Sequence, residues 1–386
     1  MVPKRDWNLR MVGADRALRL LPRQGDGTFD WATIRVGHLD TGYTRHPIFG
    51  DWAGGRSWLA AGDGWNTIDD VADATDPLEY EGNPGHGTRT ASVICGNARL
   101  LDPNDETTIG IAPGLPVVPF RCVNSVVLSR ERHRRAVALA IDRAITAGCR
   151  VISISLGMPF FSSNRSGGMG EAVDRAYEAG VIIAAAGGQV IDSVTYPGKY
   201  NRTVGCGGVT WQRRIWQDYR AGKELIDVWA PAERVRVADQ FVAPGVMAIP
   251  PVEGDDPGSF TIDVEPDDAD TGSSGSGASS GGSGSSGSSS GKLAKSSGTS
   301  YATAHVAAAA AMWLRLRGDE IERRYDAPWQ RVEAFRTLLK HRTAGRVHGP
   351  LLPNGSRVLT IHRLLEAPLP AAADLKKAAE DKNKSL

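Results

Sequence analysis

Between Ala32 and Thr210 short apolar runs alternate with Ala-rich stretches of helical character. The runs ATIRVGHL (32–39), VVPFRCV (117–123), RVISISLG (150–157) and VIIAAAG (181–187) are largely apolar and too short for helices. That is the pattern of strands buried on both faces of a parallel sheet. GTRTASVIC (87–95), RRAVALAIDRAITAG (134–148) and GEAVDRAYEAG (170–180) lie between and after them and read as helices. The alternation predicts an α/β fold, a doubly wound parallel sheet flanked by helices. IDVWAPAERVRVA (226–238) continues the strand pattern, and Ala304 to Leu314 predicts a buried helix. PWQRVEAFRTLLKH (328–341) predicts a further helix, and RVLTIHRLL (357–365) reads as a strand.

The pattern also marks boundaries. Residues 1–30 predict an N-terminal helical arm packed on a main domain that spans 31–370. Within that domain 253–297 is acidic up to Asp270 and then almost purely Ser and Gly to Gly291. Such a composition buries too little apolar surface to offset its ordering entropy, so it predicts a flexible insertion just ahead of Ser300. Residues 371–386 form a charged tail expected to fray.

Composition narrows the possible partners. The 386 residues carry 45 basic and 44 acidic side chains, a formal charge of +1, which gives no reason to expect nucleic acid or an anionic membrane as partner. No apolar run approaches the ~18 residues of a membrane span. The basic cluster Arg130 to Arg135 opens a helical run and reads as a solvated face before an anion site. Cys95, Cys122, Cys149 and Cys206 have neither C-x-x-C nor zinc spacing, and read as reduced core thiols.

Three segments carry chemistry: VGHLDTG with Asp40, GHGTRTASVICG with His86, and GTSYATAHVAAAAA with Ser300. Asp40 closes a strand, while His86 and Ser300 stand at Gly-containing helix starts. In an open parallel sheet, strand ends and helix starts on one edge face a common crevice. A serine hydroxyl is a weak nucleophile without a base, and an imidazole base needs an acceptor to fix its tautomer. Singly, each residue also fits a helix cap, a turn or strand punctuation. Together, in the order Asp, His, Ser, they predict catalysis.

These segments, with the HP after DTG and GTSYATAHV in place of GTS-x-A-x-P-H-V, resemble those of the subtilisin-like (subtilase) serine endopeptidases. VISISLG and YPGKYNRTVGCGGVT (196–210) resemble further family segments in the right order. The resemblance implies a subtilisin-like fold and hydrolysis of peptide bonds in protein or peptide substrates through an acyl-enzyme on Ser300, with no cofactor required. It implies an edge strand at Ser155, Leu156 and Gly157 that pairs with the substrate. Ala186 and Gly187 match the floor of an uncharged pocket for the residue before the scissile bond. The chain departs from the family at its oxyanion Asn: Gly188 stands there and Gln189 follows, so Gln189 is a candidate for the missing donor.

Other readings stay open. Asp69, Asp70, Asp73, Asp76 and Glu79 form an acidic loop, solvated or, as in relatives, a structural calcium site, though no defined calcium spacing is present. The missing Asn also fits a catalytically impaired subtilase fold that acts as a binding or scaffold protein. A second Asp-Thr-Gly at Asp270 raises an aspartic protease, but a carboxylate in a Ser/Gly-rich segment is poorly placed to share a proton with another. Secreted relatives carry a signal and a prosegment. Here 39 residues without a secretory apolar core precede Asp40, so a cytoplasmic protein is expected, with a secreted mature form as the alternative.

Overall fold

The computed structural model describes residues 4–79, 83–105, 108–158, 166–189, 191–216, 223–239, 293–341 and 357–380. The acidic and Ser/Gly-rich stretch, with Asp270, lies outside them. The strands are β1 (Val36–Asp40), β2 (Gly50–Asp51), β3 (Arg56–Ser57), β4 (Trp65–Asn66), β5 (Val117–Arg121), β6 (Val151–Ile154), β7 (Ile182–Ala186), β8 (Val204–Val209), β9 (Val228–Pro231), β10 (Val235–Ala238) and β11 (Leu293–Ser296). The helices are α1 (Trp7–Val12), α2 (Ala14–Leu18), α3 (His86–Cys95), α4 (Glu131–Thr146), α5 (Met169–Glu178), α6 (Thr299–Arg324), α7 (Pro328–His341) and α8 (Ile361–Glu366).

Among the described residues, seven strands form a parallel sheet in the order β4-β5-β1-β6-β7-β8-β9. Val36 of β1 pairs with Val117 on one side and Val151 on the other. Successive strands therefore leave β1 in opposite directions, and the crevice at such a switch point opens beyond the strand carboxyl ends. Asp40, the last residue of β1, lies there.

Alternation within each strand divides the core between the two faces of the sheet. Val36, Val151, Ile182 and Ala184 join one cluster, with α3 and α6. Leu39, Ile152, Ile183 and Ala185 join the other, with α4 and α5. Helix α6 is buried from Thr299 through Leu314, apolar almost all round, as suits a helix running through a core.

The N-terminal arm is part of this packing. Trp7, Leu9 and Val12 are buried, and Asn8 Nδ2 meets His305 Nε2 of α6 at 3.1 Å. Gly13, at φ +67°, ends α1 and begins α2. Two expectations change at the other end of the chain. Val358 makes only a bridge to Trp229, after which the predicted strand becomes α8. Ile361, Leu364 and Leu365 are buried, at helical rather than alternating spacing. Residues 371–380 are held rather than frayed: Arg202 donates to the Ala378 carbonyl, Lys377 pairs with Glu178 at 2.8 Å, and Leu375 is buried.

The four cysteines are free and buried. Burial raises the thiols of Cys95 and Cys122 well above their ordinary value and that of Cys149 to about 12. The basic cluster is paired: Arg132 with Asp69, Arg135 with Glu131, and Arg134 to the Ser129 carbonyl. Among the described residues no helix is long and apolar enough to cross a membrane.

Candidate active site

Three elements bring the predicted residues together. Asp40 ends β1, His86 is the first residue of α3, and Ser300 is the second residue of α6. His86 Nδ1 lies 2.7 Å from Asp40 Oδ1, and His86 Nε2 lies 3.1 Å from Ser300 Oγ. All three are buried, at 0%, 2% and 4% exposure, so the contacts are shielded from competing water. With Nδ1–H donated to Asp40, the Nε2 lone pair faces the serine hydroxyl. Ser300 Oγ also lies 3.4 Å from the Ser155 carbonyl oxygen.

The carboxylate is anchored at both oxygens. Oδ1 also accepts the Thr41 amide at 2.8 Å, and Oδ2 accepts the Thr90 hydroxyl at 3.2 Å. Burial pushes the Asp40 carboxyl up, but the charge and hydrogen bond of His86 and the Thr41 amide outweigh it. The net effect holds the group below the usual carboxylate range, which keeps it an anion. Gly87 is required by close approach: a Cβ there would stand 2.0 Å from the Gly42 carbonyl oxygen, directly after the Asp-Thr turn.

Asp76, expected in an acidic loop, is instead a brace. It is buried, accepts the Thr41 hydroxyl at 2.7 Å, and accepts the Gly85 amide at 2.9 Å. It thus ties the end of β1 to the residue before His86. The other acidic side chains do not converge. Asp69 pairs with Arg121 and Arg132, Asp70 with Arg143, and Asp73 accepts from Thr75. This donor set does not fit a calcium cage: its carboxylates face guanidinium groups and separate backbone amides. Among the described residues no cluster of three or more His, Cys, Asp or Glu can hold a metal ion.

At the departure from the family pattern, Gly188 takes φ +92°, and a Cβ there would lie 2.6 Å from Thr195 Oγ1 and Cγ2. A side chain there would be strained by the left-handed backbone and would require Thr195 or the turn to shift. Gln189 instead reaches α6, where its Oε1 accepts the Thr299 amide at 2.9 Å. The Ser300 amide, in the first turn of α6, has no carbonyl four residues back within the helix.

Ser155, Leu156, Ala186, Gly188, Gln189, Thr195 and Val126 line a pocket beside Ser300 that contains no charged side chain. Gly187 is not on its wall. Its amide is bonded to the Cys206 carbonyl, and its own carbonyl accepts the Thr195 amide. The strand edge expected to receive substrate is also occupied. Gly157 donates to the Val126 carbonyl at 2.9 Å and accepts the Leu128 amide at 2.8 Å.

Sequence reasoning missed His38 and Thr90. His38 is two residues before Asp40, on the same strand face, and Thr90 is one helical turn after His86. The available signal was a histidine inside an otherwise apolar strand, read at period two.

The subtilase family profile matches residues 32–356. Subtilisin DY of Bacillus licheniformis is 30% identical over 234 residues, covering 59% of this chain and 73% of that protein. Subtilisin Savinase of Lederbergia lenta is 27% identical over 206 residues, covering 53% of this chain and 65% of that one. The crystal structure of MycP1 with its N-terminal propeptide removed matches with TM-score 0.59 at 16% identity, over 94% of this chain and 98% of that one, a likeness of fold. With the profile spanning most of its length, the chain belongs to the subtilase family, the subtilisin-like serine proteases.

Proposed function

We propose that the chain is an endopeptidase that cleaves protein substrates through an acyl-enzyme on Ser300. The observation that carries this reading is the unbroken run of hydrogen bonds from Asp40 through His86 to Ser300, at 2.7 and 3.1 Å. His86 takes the Ser300 proton as Oγ attacks the carbonyl carbon, then delivers it to the departing amine. Asp40 holds the tautomer that leaves Nε2 free to accept, and its charge stabilises the imidazolium. The acyl-enzyme is resolved by water through the same base.

The developing oxyanion needs donors at a dry site. The Ser300 amide supplies one. Gln189 supplies the other: Thr299 pins the oxygen of its side-chain amide, which leaves the NH2 end as the donor beside Ser300. The uncharged pocket fits an apolar or uncharged side chain before the scissile bond. An extended substrate pairs along Ser155 to Gly157 once Val126 to Leu128 withdraw from that edge.

A fluorophosphonate probe tests the reading. Labelling of the wild type, none of Ser300→Ala, and cleavage of a peptide library by the wild type alone are expected. A folded wild-type protein that neither labels nor cleaves overturns it. That result would favour a binding or scaffold protein, the reading raised by the absent side chain at Gly188.

A further inference from the structure

The face of β1 that presents Asp40 to α3 also presents His38, 2% exposed, with apolar Val36 two residues before it on the same face. His38 Nε2 lies 2.9 Å from Thr90 Oγ1 and 3.8 Å from Asp40 Oδ2. Thr90 Oγ1 lies 3.2 Å from Asp40 Oδ2, 3.0 Å from the His86 carbonyl oxygen and 3.2 Å from that of Gly87. The hydroxyl has one proton and three acceptors within reach. Asp40 is the charged acceptor, and a hydroxyl that itself accepts an N–H is a stronger donor. Nε2–H of a neutral His38 supplies that N–H. Burial lowers the pKa of His38, against the pull of Asp40 and with the charge of His86, which keeps it neutral.

A buried imidazole and hydroxyl each carry a desolvation cost that an apolar pair in the same place would avoid. What the polar pair adds is an anchor on the second oxygen of the carboxylate. Oδ1 faces His86 and the Thr41 amide, whereas Oδ2 is held against rotation by the Thr90 hydroxyl. We propose that His38, acting through the Thr90 hydroxyl, is a positioning residue that fixes the rotation of the Asp40 carboxylate and thereby the ring of His86. The proposal rests on the Asp40, His86, Ser300 reading above.

The test uses the full chain. Fluorophosphonate labelling of the wild type first establishes that reading. His38→Leu then lowers kcat by about 10- to 100-fold with KM within about twofold, as release of the Thr90 hydroxyl from the charged Asp40 carboxylate implies. It also moves the downfield proton resonance of His86 Nδ1–H. His38→Gln, which returns an N–H near the position of Nε2, recovers most of the rate. The isosteric Thr90→Val falls as far as His38→Leu, the double variant falls no further, and Thr90→Ser is spared. If His38→Leu does not fold, the Thr90→Val and Thr90→Ser pair carries the test. A labelled wild type whose His38→Leu or Thr90→Val variant keeps kcat and the proton resonance overturns the proposal alone. So do Gln or Ser variants no better than Leu or Val, or losses that multiply in the double variant. An unlabelled wild type instead overturns the triad reading.

Discussion

Gln189 Oε1 accepts the Thr299 amide at 2.9 Å, one residue ahead of Ser300, which holds the oxygen of its side-chain amide on the start of α6. An oxygen held on the helix start leaves nitrogen as the outward donor. Gln189→Ala should therefore lower kcat by about 10²- to 10³-fold with little change in KM, the effect of losing one oxyanion donor. Gln189→Glu keeps the acceptor for Thr299 and removes the donor, so it should be at least as slow. Steady-state kinetics on one peptide substrate decides it: full rate in the alanine variant removes Gln189 from the reaction.

Restoring the family residue should fail. Gly188 adopts φ +92°, and a Cβ added there would lie 2.6 Å from Thr195 Oγ1 and Cγ2. Gly188→Asn therefore forces the Gly-Gly turn to move and displaces Gln189 from Thr299. Such backbone strain costs about 1–3 kcal/mol. A lower melting temperature together with a reduced kcat is expected. A variant as stable and as fast as the wild type would mean that the turn refits an Asn at no cost.

The sheet was legible because its strands are short, largely apolar runs alternating with Ala-rich helical stretches, the order of a parallel α/β sheet. Asp40, His86 and Ser300 were legible because each closes or opens a regular element on one edge of that sheet. Gln189 was legible as a candidate, but its direction was not, since it depends on the left-handed turn at Gly188. The bracing role of Asp76 was not legible, because an acidic loop looks the same whether its carboxylates face solvent or backbone amides. The segment 357–365 resembles a strand because Arg357 and Leu359 do pair with Trp229 before the apolar spacing turns helical.

Leu128 and Gly157 make a contact that substrate should break. The Leu128 amide donates to the Gly157 carbonyl at 2.8 Å, on the edge proposed to receive an extended peptide. Binding of a covalent peptidyl inhibitor should transfer the Gly157 groups from Val126 and Leu128 to the inhibitor. Hydrogen exchange at the Leu128 amide should accelerate while Gly157 stays protected. Unchanged protection at Leu128 in the saturated complex would mean that the peptide runs along another edge.

His305 should make the fold sensitive to acid. Its Nδ1 lies 2.7 Å from the Tyr301 carbonyl oxygen and its Nε2 lies 3.1 Å from Asn8 Nδ2, so a neutral ring satisfies both contacts, donating from Nδ1 and accepting at Nε2. Burial, opposed by the Tyr301 hydrogen bond, lowers its pKa to about 4, against about 6.5 in an unfolded chain. Above the unfolded value both states are neutral and the group contributes no pH dependence. Between about 6.5 and 4 the unfolded chain binds a proton that the folded one refuses, so stability falls as pH falls, by about 3 kcal/mol over the window. Urea unfolding at pH 7 and pH 4.5, in a Ser300→Ala background to prevent self-cleavage, measures the loss. A non-titrating His305→Gln variant should lose less stability between those pH values, by about 2 kcal/mol or more. Equal losses in the two proteins would show that the proton enters the folded core without penalty.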